Sequence, residues 1–136
     1  MTSREVLEFV IDKLAFILEQ HMTTVRDIET LASKLDAGGR DRESLARAIE
    51  NLRSLRESIS QILDVIANNI NDAPDSFLDD AFALIGYYVE AGAKSEARAL
   101  EHAARYMELS GEMKVLDEVV AKARIILSNI NLALKI

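Results

Sequence analysis

Two histidines, four clustered aspartates and five arginines are the residues of this chain whose types and spacing could do chemistry. His21 and His102 are its only histidines, and both fall on or beside apolar helical seams. Two facing imidazoles could ligate haem or a metal inside a helical bundle. Neither belongs to a Glu-x-x-His pair, so the di-iron carboxylate pattern is missing. A polar residue on a seam more often finds one hydrogen bond and fixes the register of its neighbours. Asp72, Asp75, Asp79 and Asp80 surround Pro74, and carboxylates at that density can hold Ca²⁺ or Mg²⁺. Their spacing does not match an EF-hand loop and no glycine sits at the turn. Acids at a helix start also offset the macrodipole and satisfy free amides, which is the stronger reading. No metal and no cofactor is expected.

Arg40, Arg42, Arg47, Arg53 and Arg56 form a basic strip in a chain of net charge −7. So acidic a chain has no general affinity for nucleic acid or anionic lipid. The stretch DIETLASKLDAGGRDRESLARAIENL has the rhythm of a helix-turn-helix, with the strip on its second helix. Asp36 stands where the turn glycine is usually found, and the second helix continues far past recognition length. Glu43, Glu50 and Glu57 offer intrahelical partners, so a solvated helix face is the stronger reading. Catalysis has less support. There is no cysteine, no Gly-rich phosphate loop and no Ser-His-Asp order in motif context. Tyr87, Tyr88 and Tyr106 read as core or interface residues rather than acids.

The elements that would position these groups are helical. The chain has 136 residues, one Pro and five Gly, and 49% of its residues are apolar, enough for one helical domain with its own core. Leu7, Ile11, Leu14, Leu18, His21, Val25, Ile28, Ala32 and Leu35 alternate in steps of four and three. The spacing predicts one helix over 3–37, begun by a Thr2–Glu5 capping box and ended by Gly38-Gly39. Leu45, Leu52, Ile59 and Ile66 fall seven apart, with Ile49, Leu63 and Ile70 beside them. They predict a second long helix over 41–71, capped by Asp41.

Pro74 then breaks the chain, and Ser76 with Asp79 fits a capping box. Phe77 to Ala91 carries no charge between Ala81 and Val89, which predicts an innermost helix over 76–91, wrapped by the others. Gly92 closes it. Ser95 caps a fourth helix over 95–109, with a small-residue seam at Ala93, Ala97, Leu100, Ala104 and Met107. Gly86 would let a neighbouring axis approach closely. Ser110-Gly111 precedes a fifth helix over 112–135, with Leu116, Val119, Ala123, Ile126 and Ile130 inward. If Gly92 does not break the chain, Ser76 to Leu109 is a single kinked helix.

Leu84, Tyr88, Gly92, Ala97 and Ala104, with GAKSEA as the turn, give this stretch a spacing that resembles a tetratricopeptide helical hairpin. Ile85, Glu101 and Leu109 stand where that family has glycine, an aromatic and proline. The resemblance covers a single repeat, where about three make a self-sufficient array. It implies a packed helix pair turning after Gly92.

The expected fold is therefore all-α: an antiparallel helical bundle of four to five helices built on a long two-helix, coiled-coil-like hairpin. Two helices this long outrun three shorter packing helices unless those stack end to end, so apolar surface is left over. The expected function is a non-enzymatic interaction protein, a self-associating scaffold, adaptor or accessory subunit. It would form a homodimer or higher homo-oligomer, or take a client helix, through Phe9, Phe16, Val65, Tyr87, Tyr88 and Ile136. The alternatives are a nucleic-acid-associated regulator using the arginine strip and a bundle that binds haem or an apolar ligand. The lack of cysteine and of a leader-like apolar run fits a cytoplasmic chain outside the membrane.

Overall fold

The computed structural model describes residues 3–135. Helix α1 spans Ser3–Asp36 and α2 spans Arg42–Ala67. α3 spans Asp75–Tyr87, a π-helical turn spans Tyr88–Gly92, α4 spans Ala93–Ala103 and α5 spans Glu112–Leu134. Thr2 and Ile136 lie outside the described residues, so the proposed first capping box and the Ile136 contact are not placed.

The caps explain the hairpin. Gly38 adopts φ +97°, the left-handed conformation that ends a helix, and its amide bonds the Leu35 carbonyl at 3.1 Å. Asp41 caps α2 as expected, its Oδ1 accepting from the Ser44 amide at 2.9 Å. Leu7, Leu14, Leu18, Val25, Ile28, Ala32 and Leu35 are buried along α1. Leu45, Leu52, Ile59 and Ile66 answer them from α2. The 34 residues of α1 run through Thr23 and Thr24 without a break.

The chain does not break at Gly92. Gly92 has φ −60° and continues the helix, and Ser95 lies within α4 rather than capping it. The extra residue is absorbed by the π turn, so α3, the π turn and α4 form one helical rod ending at Ala103 instead of Leu109. The hairpin implied by the tetratricopeptide-like spacing is therefore absent. Pro74 occupies the N-cap of α3 with no side-chain cap, and Asp75 and Ser76 lie inside the first turn. Gly111, at φ +83°, precedes α5.

Among the described residues the fold is thus all-α, with four rods and no strand. α1 packs against α2 on one side and the α3–α4 rod on the other, and α5 packs against α2 and that same rod. α1 and α2 are antiparallel. Contacts of His21 with Glu96 and of Glu29 with His102 advance together, so the α3–α4 rod runs parallel to α1. Arg53 with Glu112 and Asp64 with Lys122 likewise make α5 parallel to α2. The result is two antiparallel hairpins stacked helix on helix, the 68–74 connection carrying the chain from α2 to the side of α1.

No rod is innermost. Phe77, Leu78, Ala81, Ile85, Tyr88 and Val89 face the core, but Phe82 and Tyr87 on the same rod are 40% and 43% exposed. The rod is one corner of a square, and its apolar far side meets solvent. Among the described residues no helix is long and apolar enough to cross a membrane.

The close approach expected at Gly86 occurs at Gly92. A Cβ on Gly86 would meet nothing within 4 Å, whereas one on Gly92 would stand 3.3 Å from Tyr88 Cδ1 and 3.8 Å from the His21 ring. Replacing a mid-helix glycine with alanine should stabilise G86A by about 0.5–1 kcal/mol. G92A should lose that gain to crowding against the buried Tyr88 ring. Urea unfolding of the two variants checks this; equal stabilisation would show that Gly92 is not spatially constrained.

Candidate functional site

The polar groups that the sequence strews along seams converge inside the bundle. His21 and Glu96 are fully buried and Arg56 nearly so. His21 Nε2 donates to Glu96 Oε1 at 2.6 Å. Arg56 Nε donates to Glu96 Oε2 at 2.8 Å, and Arg56 Nη1 to Glu112 Oε2 at 2.9 Å. Arg53 Nε closes the chain on Glu112 Oε1, and its Nη1 donates to Glu50 Oε1. One connected network thus joins α1, α2, α4 and α5.

Each charge is held by its partners against the cost of burial. Burial works against the Arg56 guanidinium, but Glu96 and Glu112 outweigh it and keep its pKa above the ordinary arginine value. Burial would raise Glu112, yet the hydrogen bonds from Arg53 and Arg56 hold it below the usual carboxylate value. Tyr88 stands edge-on to His21, ring centroids 5.8 Å apart. Burial, then the Glu96 carboxylate, pushes its hydroxyl pKa well above that of free tyrosine. His21 Nδ1, Arg56 Nη2 and the Tyr88 hydroxyl have no protein partner among the described residues.

A cleft of about 600 Å³ opens between α2 and α5, lined in part by Arg53, Arg56, Glu112 and Lys122. Its cations are engaged: the arginines by acids, and Lys122 by Ser60 Oγ at 2.7 Å and Asp64 at 2.9 Å.

The second histidine has separate company. His102 Nδ1 meets Glu29 Oε2 at 2.8 Å and Nε2 meets Asp36 Oδ2 at 2.6 Å. Two carboxylates on two ring nitrogens suit an imidazolium, in which both nitrogens donate. The hydrogen bonds to Glu29 and then Asp36 raise the His102 pKa above the ordinary value. Tyr106, then His102, hold Asp36 below its own. The two histidines do not share a ligand position, so the paired-imidazole arrangement is not formed. Among the described residues no group of three His, Asp or Glu is placed to hold a metal ion, and Asp72, Asp75, Asp79 and Asp80 are all exposed.

The arginines do not form one face. Arg56 lies in the core and Arg53 pairs with Glu112 and Glu50. Arg47 pairs with Glu43, and Arg42 donates to the Tyr106 carbonyl at 3.2 Å. Arg40 is exposed in the α1–α2 turn. Of the apolar residues assigned to an interface, Phe9, Phe16, Val65 and Tyr87 are exposed, Phe9 and Phe16 at 59% and 61%. Tyr88 is 1% exposed and is a core residue, because the continuous rod turns it toward His21.

No family model, curated protein or solved structure matches this chain. Fold and interior together define an all-α bundle of two stacked hairpins, held in register by a buried ion network.

Removing Arg56 leaves two buried carboxylates short of a partner, so R56M should lose about 3–5 kcal/mol of stability. R53M, at a half-exposed position, should lose about 1 kcal/mol or less in the same denaturant titration. For His102 the folded pKa is raised, so its stabilisation is complete below the unfolded value of 6.5 and fades as pH rises through the folded value. The Asp36 contribution is present above 3.8 and fades as pH falls through its depressed value. The stability gap between the wild type and H102N should therefore be full below about pH 6.5 and shrink as the pH is raised above it. A gap unchanged over that rise would contradict an imidazolium at His102.

Proposed function

We propose that this chain is a non-enzymatic helical interaction protein that self-associates through an outer apolar helix face, as a scaffold, adaptor or accessory subunit. One observation carries the reading. Phe9 and Phe16 lie one heptad apart on α1, both are more exposed than buried, and Val65 is exposed at 40% on the neighbouring α2. Large apolar groups grouped on one face of a bundle favour a partner.

The length mismatch between hairpin and packing helices no longer contributes. α3 and α4 join end to end and cover most of α1, so the grouped side chains alone support the proposal. The interior supports a structural role for the best acid–base pair, since His21 and Glu96 are sealed from solvent. The arginine strip lends little to a nucleic-acid reading, because Arg56 is internal and Arg42, Arg47 and Arg53 are engaged. A homodimer is the commonest closed assembly for such a face.

Light scattering over a dilution series tests the proposal. The wild type should be dimeric or larger, and F9E/F16E should be monomeric with its thermal stability retained, because neither ring is in the core. A wild type that stays monomeric at every concentration, or a fully assembled F9E/F16E, would refute it.

A further inference from the structure

The Phe9–Phe16 face continues onto α2 in an unusual way. Ser54, Ser58, Gln61, Val65 and Asn68 recur in steps of three and four, so they share one stripe of α2. Ser58 is half-buried and the others are exposed. The stripe carries no charge over about four turns, in a chain with 29% charged residues. The Val65 stripe adjoins α1, because Asn51, two heptads earlier on the same edge, donates to Thr24 Oγ1 of α1 at 3.0 Å. α5 on the second hairpin also exposes apolar groups, Ile125 at 62% and Leu132 at 61%, but there they stand among the exposed charges Lys114, Asp117, Glu118 and Arg124.

Resting on the proposed self-association, we infer that a second copy of this chain docks on the first hairpin face to face. Its two-fold axis runs along the bundle, so that the Phe9–Phe16 stripe of each α1 lies on the uncharged α2 stripe of the other. Charge selects this occupant and this face. Each copy carries −7, so two copies approach at least cost where the contact is charge-poor. Asp12 and Lys13, which flank the phenyl stripe, cancel each other and have no ion-pair partner of their own among the described residues.

Area permits it. The charge-poor stripe is about 22 Å long, and with two helix diameters, about 20 Å, of width it offers about 450 Å² per copy, the size of a small, reversible interface.

Level fixes the pairs. The Thr24–Asn51 contact sets which residues of α1 and α2 stand side by side, and it puts Phe9 level with Val65 and Ile66, and Phe16 level with Ser58 and Ile59. A two-fold axis along the helices preserves level. Phe9 then meets Val65 of the second copy, and Phe16 settles over the small Ser58 beside Gln61. A two-fold axis across the helices would instead stack α1 on α1.

The chain has no cysteine, so introduced thiols report cleanly. Mixing F9C with V65C under mild oxidation should give a disulfide-linked heterodimer, and neither variant alone should cross-link. Because F9C weakens the phenyl stripe, S58R provides a second readout. It places a charge in the stripe at a half-buried position and, with helical content and thermal stability retained, should weaken association about tenfold or more, whereas R124E on the second hairpin should not. A wild-type dimer that shows neither the cross-link nor sensitivity to S58R overturns this docking geometry and leaves self-association standing. A monomeric wild type overturns both.

Discussion

One buried chain of charges, running from His21 through Glu96, Arg56 and Glu112 to Arg53, sets the register of the whole bundle. Leucine and isoleucine seams tolerate sliding, because one apolar side chain can replace another. Paired charges do not. A shift of one helical turn, about 5.4 Å, would leave a carboxylate or guanidinium buried without its partner. Burying such groups yields little net stability, since the desolvation cost offsets most of the attraction. Their effect is to penalise every other alignment. All four rods contribute to the chain, so fixing one fixes the set.

The π turn is the backbone consequence. From Phe77 to Ala103 the α3–α4 rod keeps one face inward through Ala81, Ile85, Tyr88, Gly92, Glu96 and Ala99. That face covers about 26 residue steps in seven turns, whereas an ideal α-helix needs about 25. The surplus is close to one residue, which a π turn inserts. It falls where the rod must bring Tyr88 beside His21 and Glu96 between His21 and Arg56. Gly92 suits that crossing because the Tyr88 ring crowds the place a Cβ would take, with the His21 ring in van der Waals contact behind it.

The first hairpin was legible in the sequence, and so was His21 on its seam, but Arg56 was assigned to a solvated helix face and lies in the core. His21 interrupts the series Leu7, Leu14, Ile28, Leu35, and Arg56 fills the gap in Ile49, Leu63, Ile70, each at heptad spacing. A polar residue in such a gap must turn inward with its apolar neighbours, so both burials could be read from period alone. Their partners could not. Glu96 was hidden because a heptad frame places Ala97 on the seam, and the π turn shifts the true face by one residue. Gly92 resembled a helix end for the same reason, since a sequence does not distinguish a glycine needed for positive φ from one needed for room. Tyr88 was misassigned to an interface because its exposure depends on whether the rod continues. Glu112 falls at the first turn of α5, where an acid is expected at the surface; only the tertiary approach of Arg53 and Arg56 draws it in.

An interior that fixes register by charge relieves the surface of that task. Neither Phe9 nor Phe16 touches the ion network, and at their exposure neither adds much to the monomer's apolar burial. The stripe from Ser54 to Asn68 forms no ion pair and adds little to the bundle beyond Val65 and the Asn69 edge. On the α3–α4 rod the outer surface follows the usual pattern of intrahelical pairs, with Glu90 on Lys94. The first hairpin's outer face thus combines two exposed phenyl rings with a neighbouring stripe that carries no charge. Folding of the single chain does not use that combination, and self-association as proposed would.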